Sequence, residues 1–220
     1  MTQSQDYSYE FYRRHAREYA EWWDSHADLL DLEKVGARLL EMVPPNARGL
    51  DAGCGPAVKE ILRFLHGGYD MLGIDAVQEN LKVAEDRNPE LKGRLSVADI
   101  SQPLDFPEAY FDFLICTTVI QHISPEAVNT VTLPEFARVL KAGGVLQLTF
   151  KNGTGVTTVY DKIYDLDRSF QLYEPEALLG TLGAAGMELV PREGDRPGGV
   201  MYYIDSKGVP TCILLARKVR

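Results

Sequence analysis

The chain has 220 residues, enough for one well-buried core and few for two, and its 45% hydrophobic and 25% charged content is that of an ordinary globular protein. With 32 acidic residues against 23 basic ones and a formal charge of -9, it lacks the electrostatic footprint of a protein that follows a phosphate backbone or settles on an anionic membrane. Its longest apolar stretches are strand-sized, below the roughly 20 residues of a membrane-spanning helix; the first residues carry no apolar signal-peptide core; and the three distant cysteines, Cys54, Cys116 and Cys212, suit neither a disulfide framework nor a zinc site and point to a reducing cytoplasm.

Residues 1–30 are polar yet rich in rings: Tyr7, Tyr9, Phe11, Tyr12, Tyr19, Trp22 and Trp23. Leu32, Val35, Leu39, Leu40 and Val43 then recur at helical spacing until Pro44 and Pro45, which cannot continue a hydrogen-bond ladder. One or two helices are predicted here, packed against or over the domain that follows. From Arg48 strands alternate with helices: the strand GLDA running into the turn GCG, the helix VKEILRFL, the strand YDMLGID, the helix QENLKVAEDR and the strand RLSVAD. FDFLICTT is the nearly unbroken apolar run of a strand covered on both faces. PEAVNTVTLPEFARVLKAGG is predicted as a helix, with Pro134 as its weak point and Gly143 and Gly144 as its C-terminal cap, before the strand VLQLTF. KNGTGVTTVYDKIYDLDRSFQLY reads as irregular. A helix, PEALLGTLGAAG, follows, then the strand MELV and two strands, VMYYID and TCILLARKV, joined by a hairpin turn at Asp205–Gly208. The alternation predicts a single α/β domain built on an open, doubly wound and mostly parallel sheet.

In such sheets ligands bind beyond the carboxyl ends of the strands. The first strand ends Leu50-Asp51-Ala52-Gly53-Cys54-Gly55-Pro56-Ala57, where Gly53 and Gly55 allow a sharp bend and close approach to a ligand. Asp75 and Asp99 close the second and third strands, so three carboxylates should converge at one rim. A dinucleotide turn reads GxGxxG, but the third glycine place holds Val58, and Pro56 removes a backbone N–H where a pyrophosphate needs one. A nicotinamide-dependent oxidoreductase is thereby disfavoured. A ligand with a ribose and an ammonium group but no phosphate fits better, and Asp75 can accept both ribose hydroxyls.

Taken in order from Leu50 to about Phe150, the segments LDAGCGPA, GID, ADI, FDFLICTTVIQHI and VLKAGGVLQL resemble the successive motifs of the class I S-adenosylmethionine (SAM)-dependent methyltransferases. The likeness is to the small-molecule, ubiquinone/menaquinone-biosynthesis-like branch (methyltransferase type 11), with Ala57 in place of the last glycine of the first motif. The resemblance implies a Rossmann-like, seven-stranded core over residues 46–220 and a helical lid over residues 1–45. It further implies a transferase that uses SAM, acting on a small-molecule acceptor; no acid/His cluster in the sequence suggests a metal site. Asp51 would orient the bend or reach the methionine ammonium, and Gly53, Cys54 and Gly55 would lie under the methionyl and ribose part. Asp75 would bind the ribose hydroxyls with Ala76 against the adenine, Asp99 would accept from the adenine amino group, and the N–H of Ile100 would face the ring. Cys116 would flank the methionine moiety. Tyr12 and Tyr19 fall where a pair of lid tyrosines closes over SAM, although aromatic packing at helical spacing accounts for them equally well. Each aspartate alone also suits a helix N-cap; their convergence is what favours the cofactor.

Methyl transfer requires a nucleophile held ~3 Å from the methyl and in line with the C–S bond, so no dedicated catalytic residue is obligatory. A base assists when the acceptor is a hydroxyl. His122 is the candidate, with an ordinary pKa near neutrality; a packing or helix-start role is the alternative. His15 and His26 are placed to face the acceptor from the lid, His66 on the surface. Trp22 and Trp23 cannot share one helix face, so one should pack and the other line the acceptor site. Tyr160, Tyr164, Arg168, Phe170 and Tyr173 would build an aromatic acceptor pocket with one cation for an acidic group. Two other readings stand beside this one: a protein N-terminal methyltransferase, and a SAM-binding module without methyl transfer. An RNA methyltransferase is disfavoured by the acidic charge and by CTTV where an NPPY- or DPPY-like tetrapeptide would stand.

Overall fold

Strands whose sequences are apolar almost without a break must be covered on both faces, and they form the middle of one sheet. The structure, a computed structural model, describes residues 3–25 and 32–219. Strands β1 (Arg48–Ala52), β2 (Asp70–Asp75), β3 (Leu95–Val97), β4 (Phe111–Thr117) and β5 (Leu140–Lys151) run parallel in the order β3-β2-β1-β4-β5. A separate hairpin, β6 (Val156–Asp161) and β7 (Leu166–Gln171), occupies the stretch predicted as irregular. β8 (Met187–Leu189), β9 (Val200–Ile204) and β10 (Pro210–Lys218) complete the main sheet: β10 lies antiparallel to β5, and β8 and β9 share its outer edge end to end. The sheet is thus seven places wide and filled by eight strands. The predicted hairpin turn is present, with Gly208 N–H donating to Asp205 O at 2.9 Å.

Alternation along the strands divides the core. On one face Phe113 and Ile115 of β4 pack with Val35 and Leu39 of α2 (Leu32–Leu40) and with Ile61 and Phe64 of α3 (Lys59–His66), next to α4 (Gln78–Arg87). On the other, Leu114 and Cys116 pack with Phe136 and Leu178, described with their helices below.

The predicted helix from Pro125 to Gly144 is three pieces: α5 (Pro125–Ala127), a π-helical turn (Val128–Thr132) and α6 (Leu133–Val139). Pro134 has no N–H to give the preceding turn, and the wider turn before it lets the helix restart with proline in its first turn. Gly143 and Gly144 do not cap it. Leu140 is already extended (φ -75°, ψ 139°) and paired with Phe111, held there by the N–H of Tyr110 on Val139 O at 2.8 Å. The glycines instead lie in a bulge where the register jumps between Phe111 and Phe113. α7 (Pro175–Ala184) covers the same face as α6, supplying Leu178.

α1 (Gln3–Ser25) crosses the carboxyl end of the sheet, against α4 and the short turn Ile120–His122. It is kinked at His15, whose backbone leaves the helical region (φ -114°, ψ 17°). The Arg168 guanidinium of β7 sits 4.0 Å over the Phe11 ring, a cation–π contact that fastens α1 to the hairpin.

Candidate active site

β1 ends in two left-handed residues, Gly53 (φ +85°) and Gly55 (φ +60°). A Cβ on Gly53 would lie 2.3 Å from the Val119 side chain, whereas one on Gly55 would meet nothing within 4 Å. The first glycine lets the protein pack against itself; the second leaves backbone bare toward open space. The bend is tied to the end of β2: Gly53 N–H and Cys54 N–H donate to Ile74 O (2.8 and 3.0 Å), and Gly55 N–H donates to Asp75 Oδ2 (2.9 Å). Val58, at the third glycine place, is also left-handed (φ 48°) and buried.

Beyond the bend lies a cavity of about 260 Å³. Asp51, Asp75 and Asp99 all line it, as do Gly53, Cys54, Gly55, Ala76 and Ile100, so the expected convergence of carboxylates is realised. Their surroundings differ. Asp75 accepts from Val77 N–H (2.8 Å) and Asn80 Nδ2 (3.1 Å) on Oδ1 and from Gly55 N–H on Oδ2. A carboxylate has about four acceptor positions, so roughly one remains. Asp99 accepts from Ser101 N–H (2.8 Å) and from the Tyr9 hydroxyl (2.8 Å). Asp51 is 5% exposed, and no donor or cation among the described residues pairs with it; burial, then the neighbouring Glu60 and Asp75, push its pKa well above the usual carboxylate range.

Five residues of α1 roof this cavity: Ser8, Tyr9, Tyr12, Tyr19 and Trp23. The two expected tyrosines pack edge to face with centroids 5.3 Å apart. His122, 9% exposed, has both ring nitrogens engaged by this roof: Nδ1 is 3.1 Å from Ser8 Oγ and Nε2 is 3.2 Å from the Tyr12 hydroxyl. Burial, with the Arg168 and Lys151 cations, pushes its pKa down to about 3. Such an imidazole stays neutral at physiological pH and is a weak base.

A second, smaller cavity adjoins the first and shares Tyr12, Tyr19, Trp23, Thr117 and Thr118 with it. Tyr164, Arg168 and Phe170 line it as expected. Tyr173 does not: it is buried in the core, its hydroxyl donating to Ile123 O (2.6 Å) and Ile120 O (3.1 Å). Tyr160 lies 56% exposed on the outside of the hairpin. Both tryptophans line this cavity, their rings edge to face at 5.2 Å, so the split between one packed and one lining residue is corrected. His15 faces neither cavity; its Nδ1 is 2.6 Å from Glu18 Oε2 and its ring packs on Phe11 and Tyr164. His26 lies outside the described residues, and His66 is at the surface, 68% exposed. Cys116 is wholly buried among core side chains, and Thr117 and Thr118 line the cavity wall in its place.

Sequence reasoning passed over Ser8, Tyr9, Asn80, Lys151 and Lys207. Asn80 could have been found, since an amide five residues after a strand-ending aspartate falls in the first turn of the following helix and reaches back to it. The others carry no local signal, because their partners come from remote parts of the chain.

The family model described as "Methyltransferase domain" matches residues 50–148. The chain is 29% identical over 108 residues to 2-methyl-6-phytyl-1,4-hydroquinone methyltransferase of Synechocystis sp., covering 49% of this chain and 33% of that protein. It is 26% identical over 155 residues to the mitochondrial ubiquinone biosynthesis O-methyltransferase of Mus musculus, covering 60% of this chain and 40% of that one. The matches therefore span only about a third to two fifths of these relatives' own lengths. Its fold is similar to that of the Burkholderia thailandensis 1,6-didemethyltoxoflavin-N1-methyltransferase, solved with its namesake compound and S-adenosylhomocysteine (TM-score 0.67, 18% identity, 100% of this chain and 92% of that one). No helix among the described residues is long and apolar enough to cross a membrane.

Proposed function

We propose that this chain is a SAM-dependent methyltransferase acting on a small-molecule acceptor. Asp51 carries the reading. A buried carboxylate without a counter-ion is costly, and its position beside a bare backbone bend suits a ligand that brings its own positive charge. When bound, SAM supplies an electrophilic methyl group on a sulfonium. Asp51 would hold the ammonium end, the remaining acceptor position of Asp75 would take a ribose hydroxyl, and the bend at Gly53–Gly55 would permit close approach. Ala76, Asp99 and the N–H of Ile100, which line the same cavity, would hold the base.

α1 acts as a lid on a single domain in this reading, with Tyr12 and Tyr19 closing over the cofactor, whereas α2, expected in the lid, packs its Val35 and Leu39 into the core. Closure excludes water and aligns the acceptor, which supplies much of the rate in an in-line displacement. His122 serves as a positioning residue that holds Tyr12 to the turn after β4, rather than as the acceptor's base. Three free thiols suit a cytoplasmic setting, and the net charge of -9 argues against nucleic acid and anionic membranes as partners. Titration calorimetry of the purified chain is the test. SAM and S-adenosylhomocysteine should both bind at a single site, and absence of heat from either would overturn the assignment.

A further inference from the structure

The smaller cavity is more highly charged than an aromatic pocket requires. Lys151 (3% exposed) and Arg168 (5% exposed) line it together with Lys207, facing two carboxylates, Asp161 and Asp205. Asp205 holds Lys151, and Asp161 is 3.4 Å from Arg168 and 2.5 Å from Lys207. Three cations against two anions leave one positive charge uncompensated in a largely desolvated place. Polar atoms without partners line the same cavity: Gln121 Oε1, on a side chain 4% exposed, Thr117 Oγ1 and the Tyr164 hydroxyl. Buried polar atoms are nearly always paired, so this cavity is formed to receive polar atoms. Its volume is about 70 Å³, less than half of the roughly 150 Å³ that holds benzene. A whole ring does not fit inside, but a polar substituent does, leaving its ring among the side chains shared with the larger cavity.

We infer that the smaller cavity is an anion subsite, taking the oxyanion substituent of a flat aromatic acceptor between Lys151 and Arg168. The inference rests on the transferase reading for the word acceptor; the subsite itself rests on the charge balance, the unpartnered polar atoms and the size. Arg168 is fixed from both sides, its Nη2 donating to the Tyr12 hydroxyl at 2.9 Å and its Nη1 facing Asp161. The cationic face is therefore preorganised and does not form around the ligand.

The test uses three probes of one shape, with and without saturating S-adenosylhomocysteine: 4-nitrophenol, 4-nitrobenzoate and the neutral 4-nitroanisole. At least one anion should bind about tenfold or more tighter than 4-nitroanisole, and the preferred probe tells a phenolate subsite from a carboxylate one. Lys151→Met should remove about tenfold of that preference while sparing 4-nitroanisole affinity, and Lys151→Arg should retain it. Lys207→Met, at a more exposed position, should lose part of it. Equal affinity for anions and 4-nitroanisole overturns the inference, as does a preference kept by both methionine variants. S-adenosylhomocysteine binding shows that each variant is folded and reads the donor site separately. Anion preference without that binding keeps the subsite and sinks the SAM reading; the reverse result keeps the SAM reading and sinks the subsite.

Discussion

Nε2 of His122 lies 3.2 Å from the Tyr12 hydroxyl, and the surroundings fix the direction of that hydrogen bond. Arg168 has only donors and approaches the same hydroxyl at 2.9 Å, so the Tyr12 oxygen accepts from Arg168 and gives its own hydrogen to Nε2. A neutral imidazole then carries its hydrogen on Nδ1 and donates it to Ser8 Oγ, 3.1 Å away. The chain of bonds joins α1 to the turn after β4 and to the β6–β7 hairpin.

Tyr12→Phe cuts this chain at its middle. It leaves Nε2 of His122 and one guanidinium N–H of Arg168 without a protein partner, which costs about 1–3 kcal/mol for buried polar groups. Amide hydrogen exchange should quicken in α1 and stay unchanged in α3 and the central strands. Uniform protection across both forms would show that the bonds do not hold α1 down.

The His122 imidazole gives stability a pH dependence of known sign. Its pKa falls from 6.5 unfolded to about 3 folded, so between those values the unfolded chain binds a proton that the folded chain does not. Stability from this group is complete above pH 6.5 and is lost as pH falls toward 3, by up to about 1.4 kcal/mol per pH unit. Between pH 8 and pH 5, urea unfolding should show the native chain losing about 2 kcal/mol more than His122→Gln, whose amide does not titrate.

Asp51→Asn should separate stability from binding. Burial raises the Asp51 pKa, so its charge opposes folding at neutral pH, and the amide should stabilise the free protein by about 1–2 kcal/mol. The same change removes the negative charge meant for the ligand's ammonium and should weaken SAM about tenfold or more. Loss of both together would assign Asp51 a structural part only.

The two glycines of the bend should respond differently to alanine. Gly53→Ala drives a methyl into Val119 and should cost about 2–3 kcal/mol from left-handed strain plus overpacking. Gly55→Ala meets no protein atom and should cost about 1 kcal/mol, while its methyl enters the cavity and lowers S-adenosylhomocysteine affinity. Thermal melts and calorimetry on the pair measure both effects.

Much of this could be read before folding. The alternation of β1 to β5 with helices, the aspartates ending β1 and β2 and following β3, and the hairpin at Asp205–Gly208 all follow from short-range pattern, because burial periodicity and turn chemistry act over a few residues. The β6–β7 hairpin escaped because its exposed face, with Val156 and Tyr160, breaks the usual alternation of apolar and polar residues. The helix before β5 ends sooner than its sequence predicts because Leu140, a good helix former, pairs with Phe111, which outweighs propensity. Position along the chain alone points Tyr173 and Cys116 to cavity walls, but both fill the core.

Sequence alone determined the doubly wound sheet, the glycine bend and the acids around it, for each depends on residues adjacent in the chain or repeating with a strand's or helix's own period. Only the tertiary structure decided the roof and the anion subsite. Tyr12 meets Arg168 across 156 positions and His122 across 110, and Lys151 meets Asp205 across 54. Their charge states follow from burial, which no local segment possesses before the others close around it.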